Sequence, residues 1–175
     1  MTKQEVNAAI HLGKLPATHE WYGGFLVLFY CLCFSVIGIV FIFDKPLNPF
    51  APAGLLLWVS LSLYTLYCLL TERKLTAVKT YLSAGDNQQL IISVFNALNW
   101  QVSLPFQHSI IATRGSNWFG IPVYATALLE EGIVYLNLMN GGGNIKGRIP
   151  FSFGQNEQKL RLLIDEINKS RQLAK

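Results

Sequence analysis

The sequence predicts an α+β domain carried on an N-terminal transmembrane helical hairpin. Two observations point there. Two apolar runs, Phe25–Phe43 and Ala53–Leu70, contain no charged residue and are separated only by Asp44–Pro52. Beyond them the spacing of apolar residues shifts from a helical period to alternation and back to a helical period. The second unit is therefore expected to be a small two-layer domain: a helix, an antiparallel sheet of about four strands, and a closing helix on the same sheet face. The chain divides on this reading into a cytoplasmic tail (1–20), the hairpin with a cytoplasmic helical extension (21–82) and a cytoplasmic α+β domain (83–175).

The first run is 19 residues long. At about 1.5 Å per residue it spans roughly 28 Å, close to the ~30 Å hydrocarbon core of a bilayer. Trp21 and Tyr22 precede it, where interfacial aromatic belts occur. The second run is 18 residues long. Its Ser60, Ser62 and Thr65 hydroxyls can bond back into their own helix or across to the first. Two such runs packed as the core of a soluble protein would need a far larger chain around them. A cleaved leader is also a poor fit, because the first run starts late, is long and is followed by a second. Pro46, Pro49 and Pro52 lie in the connecting loop and interrupt helix there.

Orientation follows from charge. Lys3, Lys14, Arg73, Lys74 and Lys79 flank the hairpin on the side of the termini, against Lys45 alone in the loop. The positive-inside rule then places both termini in the cytoplasm and the Asp44–Pro52 loop on the other side, as in a multi-pass membrane protein. The net charge is +4, and residues 71–175, with 11 Lys/Arg and seven Asp/Glu, carry an excess of the same size. That suits a domain beside an anionic leaflet. It is too diffuse for the concentrated basic face that nucleic acid needs, so no nucleic-acid partner is expected. Cys31, Cys33 and Cys68 all lie within the apolar runs and read as small apolar filler. The remainder has no cysteine, as suits a reducing compartment.

Met1–Glu20 reads as a loosely ordered tail, with a short interfacial helix as the alternative because Val6, Ala9 and Ile10 are helically spaced. Leu75, Val78 and Leu82 recur at i, i+3 and i+7, so the second membrane helix is expected to continue to about Ser83–Gly85. Arg73, Lys74 and Lys79 on that extension would reach lipid phosphates. Asp86, with Gln89 three residues on, is expected to start the next helix. Its apolar face is Leu90, Ile91, Val94, Phe95 and Leu98, and it should end near Asn99–Trp100. Strands follow at Trp100–Phe106, Ser109–Thr113, Ile121–Leu129 and Ile133–Met139, with a last piece at Ile145–Phe153. Pro105 makes the first of these an edge or a bulged strand. Glu130-Glu131-Gly132 is a hairpin turn. Asn156 should cap the closing helix, whose face is Leu160, Leu163, Ile164 and Ile167. Trp100 stands at the change of period and is expected between helix and sheet.

The turn Phe153-Gly154-Gln155-Asn156 between a strand and a helix resembles the C-terminal end of a family of small uncharacterised bacterial membrane proteins. These pair two transmembrane helices with a short cytoplasmic α+β domain. The resemblance extends over most of the chain and implies that architecture, but no activity. Ile149-Pro150-Phe151 ahead of a final helix is also similar to bacterial pleckstrin-homology-like membrane domains. The helix at Asn87–Asn99 departs from that pattern.

Candidate sites are few. Gly141, Gly142 and Gly143, followed by Lys146 and Arg148, could form an anion-binding nest for a lipid headgroup or a small anion, or simply a hairpin loop. The loop lacks the GK[ST] ending of a P-loop. Trp118 and Phe119 at a loop tip offer an interaction surface, or core packing. His108 and the Glu130–Glu131 pair have no spacing that brings them to one substrate. No catalytic, metal or cofactor motif is found, and no cofactor is expected. The leading expectation is a non-enzymatic membrane protein presenting a cytoplasmic interaction domain to a protein partner or a second copy. A headgroup or anion sensor is the second reading, and an enzyme of unrecognised type the third.

Overall fold

The structure is a computed structural model that describes residues 1–17, 19–44, 50–115, 122–141 and 151–173. The chain opens with helix α1, Lys3–Leu12. Thr2 and Glu5 close a capping box: the Glu5 N–H donates to Thr2 Oγ1 at 3.3 Å and the Thr2 N–H to Glu5 Oε2 at 2.7 Å. Gly13 ends the helix at φ +63°, a conformation glycine adopts without steric cost. A loosely ordered tail was expected. The helix forms because Val6 and Ala9 bury against Leu15, Leu75 and Leu128, a surface supplied from far along the chain.

Two long helices follow, α2 at His19–Asp44 and α3 at Ala51–Thr71. Each is long and apolar enough to cross a membrane. A core helix of a soluble protein would be mostly buried, yet only 11% and 22% of their most apolar windows are. Phe29, Tyr30, Leu56, Leu57 and Leu63 all point outward. Most buried positions on the two helices are small or hydroxylic, Cys31, Ser35, Ser62, Thr65 and Cys68, with Leu69 the large exception. Ser35, Ser62 and Thr65 each donate to the carbonyl four residues back, so their hydroxyls are satisfied within one helix. Phe34 stacks on Trp58 with centroids 4.6 Å apart.

α3 stops at Thr71, whereas the sequence reading carried it past Leu82. Thr76–Lys79 is instead strand β1. The remaining elements are helix α4 (Ala84–Ala97), strands β2 (Gln101–Phe106), β3 (Ser109–Arg114), β4 (Val123–Leu129) and β5 (Ile133–Asn140), and helix α5 (Gln155–Leu173). The physical cause of the misreading is that Leu75 and Val78 bury on opposite sides of the sheet, Leu75 with α1 and Val78 with α4 and α5. A spacing of three that looked like one helical face is alternation with both faces covered.

The sheet has five strands in the order β1-β5-β4-β3-β2, every pair antiparallel. β2 is an edge strand and shifts register between Val102 and Leu104, so both devices that Pro105 implied are present. Ser83, not Asp86, caps α4: the Asp86 N–H donates to Ser83 Oγ at 3.2 Å. One sheet face packs on α4 and α5 through Ile91, Phe95, Ile110, Leu136, Leu163 and Ile167. Trp100 lies in that core, 3% exposed, its ring 5.9 Å from Phe95. The opposite face, through Leu128, Tyr135 and Met139, meets α1. The domain therefore has three layers where two were expected, because the N-terminal segment returns to cover the second face. Of the expected last strand, residues 145–150 lie outside the described residues, and Phe151–Phe153 is not strand.

Candidate functional site at the seam between hairpin and domain

The chain leaves α3 and enters β1 through Glu72–Leu75, and this crossing is held on two sides. On one side, Leu15 N–H donates to Arg73 O and Leu75 N–H to Gly13 O, both at 2.9 Å, around an antiparallel bridge of Lys14 and Lys74. Arg73 Nη1 donates to Leu15 O at 3.1 Å, and its guanidinium lies 4.2 Å from the centre of the Trp21 ring. On the other side, Asn137 of β5 donates through Nδ2 to Glu72 O at 2.7 Å and to Lys74 O at 2.9 Å. A crossing tied by backbone and side-chain bonds on both flanks is a joint and not a free linker.

Beside this joint is a cavity of about 310 Å³. One wall is the last two turns of α3: Tyr64, Tyr67, Cys68 and Thr71. The facing wall comes from β5 (Asn137, Leu138, Asn140) and the start of α5 (Asn156, Glu157, Leu160), with Glu72 and Lys74 at the joint. Phe151 and Phe153 reach across to α3 and stack with Tyr64 at 5.7 and 5.8 Å. Asn140 Nδ2 holds this segment by donating to Phe151 O at 2.8 Å. Phe153 sits at φ +47° and Gly154 at +79°, which turns the chain sharply into α5. Phe153 remains 59% exposed.

The polar character of the cavity is uneven. Asn137 is 3% exposed, and its amide nitrogen is committed to two carbonyls, which fixes the orientation of the amide. Its Oδ1 and the Oδ1 of Asn156 are buried and accept no hydrogen bond among the described residues. Among the described residues, the charged ones of the wall are Glu72, Glu157 and Lys74. The described lining combines an aromatic side, from Tyr64, Phe151 and Phe153, with groups of both charges.

The residues singled out from sequence scatter around this site. Arg73 and Lys74 are at the joint. Lys79 closes β1 five residues beyond Lys74, roughly 16 Å at strand rise. Gly141 follows β5, and its N–H donates to Pro122 O at 2.6 Å. A Cβ there would run into the Tyr124 ring, so close packing demands glycine at that position. Gly142, Gly143, Lys146, Arg148, Trp118 and Phe119 lie outside the described residues. The turn with His108 sits beside Leu129, whose N–H donates to His108 O at 3.0 Å, at the end of the sheet away from the cavity. Among the described residues no cluster of three His, Cys, Asp or Glu could hold a metal.

Sequence reasoning missed Tyr64, Asn137 and the Phe151/Phe153 pair. The available signal was Asn137, an amide in the middle of Ile133–Met139, where a strand buried on both faces has no cheap place for it. No protein-family model matches this chain and no curated protein is significantly similar to it, so its function is read from its own geometry.

Proposed function

We propose that this chain is an integral protein of a bacterial plasma membrane that crosses it twice with both termini in the cytoplasm. Its α+β domain is a binding module and not an enzyme, and its ligand is an amphiphile drawn from the bilayer. One observation carries the reading: the cavity is shared between α3, a helix fit to cross a membrane, and the domain. A molecule filling it touches both phases at once. The Lys/Arg asymmetry across the hairpin supports the orientation. The chemistry is tested by extracting the full-length protein in mild detergent and weighing it intact. One amphiphile per chain should be retained, and a large side chain at Ser152, which also lines the cavity, should remove it when introduced as Ser152→Trp. Absence of a retained amphiphile, or one indifferent to Ser152→Trp, would refute the reading. The topology is tested by labelling: Asn48→Cys should react with an impermeant reagent in intact cells and Ser170→Cys should not.

A second reading, presentation of the domain to a protein partner, is favoured by Tyr81. This residue is 74% exposed at φ +61°, in a turn at the end of the sheet opposite the cavity. Its ring lies 5.8 Å from the Arg171 guanidinium. A non-glycine residue held in the left-handed region with its ring in solvent is strain retained for contact. A photoreactive residue at position 81 should then give one discrete protein adduct in native membranes. A diffuse or empty pattern counts against a partner there.

A further inference from the structure

We infer that Arg114 and Lys159 form a binding site for a terminal phosphate, the phosphomonoester class, on the side of the domain that carries α4 and α5. The inference does not depend on the cavity at the seam. The first ground is geometry. Arg114 closes β3 opposite Val123 of β4, and its guanidinium lies 6.0 Å from the centre of the Trp100 ring. Trp100 shares the core with Leu163 of α5. Lys159 stands four residues before Leu163, so it lies one turn away on the same helix face. Both cations are half-buried. Burial first, and the Arg114 guanidinium second, hold the Lys159 ammonium below its ordinary value. Two like charges are thus kept close together with only part of their hydration.

The second ground is the lack of a counter-charge. Among the described residues neither side chain takes part in an ion pair. The residues three and four positions from Lys159 are Gln155, Asn156, Leu162 and Leu163. These are its neighbours on the helix surface, and none is acidic. Glu157 is two residues away and lines the cavity instead, and Glu166 pairs with Lys169 at 3.7 Å. Beside Arg114 in the sheet are Val123 on one side and, on the other, the start of β2, where Gln101 pairs with Thr113. Residues 116–121 and 142–150 contain no Asp or Glu, so those stretches bring no carboxylate here. A partly buried charge without a partner is costly. An external anion removes that cost. A phosphomonoester carries about −1.5 to −2 at neutral pH, which matches two cations, and its oxygens suit a guanidinium fork beside an ammonium. A carboxylate or a phosphodiester brings a single charge and leaves one cation uncompensated.

The test uses the full-length protein in nanodiscs, with thermal unfolding followed by near-ultraviolet circular dichroism. In phosphatidylcholine discs, inorganic phosphate at millimolar concentration replaces chloride at equal ionic strength. In two further arms, without added phosphate, the discs contain phosphatidic acid or phosphatidylglycerol at matched surface charge. A ligand bound only by the folded state raises the midpoint. A rise with inorganic phosphate supports the site with a soluble source. A rise with phosphatidic acid and not with phosphatidylglycerol supports it with a lipid source. Lys159→Met keeps the apolar stem and should weaken the response at least about tenfold, the factor expected of one charge-assisted hydrogen bond. Arg114→Gln should do the same. Without phosphate, Lys159→Met should melt no lower than the parent, because it removes an uncompensated charge. The inference is overturned by no rise in any arm, by equal rises with the two lipids and none with inorganic phosphate, or by a response that survives Lys159→Met. A lower midpoint of Lys159→Met without phosphate would also overturn it, by showing that the ammonium already has a partner.

Discussion

The hairpin and the α+β domain are packed by opposite rules. Inside the domain the buried side chains include Trp100, Phe95, Ile91, Ile110, Leu128, Leu136, Leu163 and Ile167. On α2 and α3 the buried positions are mostly small or hydroxylic, Cys31, Ser35, Ser62, Thr65 and Cys68, with the large Leu69 buried near the domain end of α3, while Phe29, Tyr30, Leu56, Leu57 and Leu63 face outward. In water the first arrangement is stabilised by removing apolar surface. The second would leave that surface exposed. It becomes favourable where the surroundings are themselves apolar and helices associate through close contact of small side chains. The two halves thus differ in which side chains they bury, and the chain passes from one to the other at Glu72–Leu75.

The comparison is broken most directly by truncating one large apolar residue on each side of it. Trp100→Ala should cost about 3–5 kcal/mol in the domain, a large share of the ~5–15 kcal/mol that holds such a unit. Leu57→Ala, on an outward face 64% exposed, should cost under about 0.5 kcal/mol. Thermal unfolding of the full-length protein, followed by near-ultraviolet circular dichroism, separates them. Equal losses at both positions would mean that the outward face of α3 is packed against something other than lipid.

Next in size is the joint. Asn137→Leu removes two hydrogen bonds to the crossing segment and leaves the Glu72 and Lys74 carbonyls without them, at roughly 1–3 kcal/mol. Hydrogen exchange should rise selectively at residues 72–76, with the α4–α5 core unchanged. If exchange rises uniformly, the seam is part of the core and not a joint between two packing regimes.

The hairpin contact itself should respond to added bulk. Gly38 packs on Leu55, and a Cβ at Gly38 would lie 3.5 Å from the Leu55 side chain, an ordinary contact that Gly38→Ala tolerates. Gly38→Leu has no such room and should cost about 1–3 kcal/mol through strain. The readout is resistance of the hairpin to denaturing detergent. An indifferent Gly38→Leu would show that the helices are not held by close approach.

The smallest effect concerns α1. Bonding to Thr2, through its backbone first and its side chain second, holds the Glu5 carboxyl below its ordinary value. A carboxyl lowered on folding contributes stability above its unfolded value and loses it as pH falls through the lowered folded value. Amide protection in α1 should therefore fall in mild to strong acid, while α4 is unaffected. Glu5→Gln, which removes the titrating carboxyl, should flatten this acid dependence. An unchanged acid profile would remove the capping box as the cause.

Much of this was legible because it depends on local pattern. The apolar runs at Phe25–Phe43 and Ala53–Leu70 fall inside helices α2 and α3. The faces of α4 and α5 and the burial of Trp100 also follow from periodicity, since a side chain's direction is set by its place in the turn or the pleat. β1 was not legible. Its four residues are short, and with Leu75 and Val78 buried on opposite sides they mimic a helical spacing. α1 was legible only as an alternative to a tail, from the spacing of Val6, Ala9 and Ile10; that it packs on Leu75 and Leu128 was not.

The sequence by itself determined the two apolar helices, the order of most of the domain's elements and the side of each that turns inward, because charge, length and period act within a few residues. Only the tertiary structure decided that the N-terminus covers the second sheet face, that β1 pairs with β5, and that Tyr64, Asn137 and Asn156 share one cavity. Those are contacts between residues far apart in the chain. Such contacts follow from how the whole backbone closes, and no local spacing encodes them.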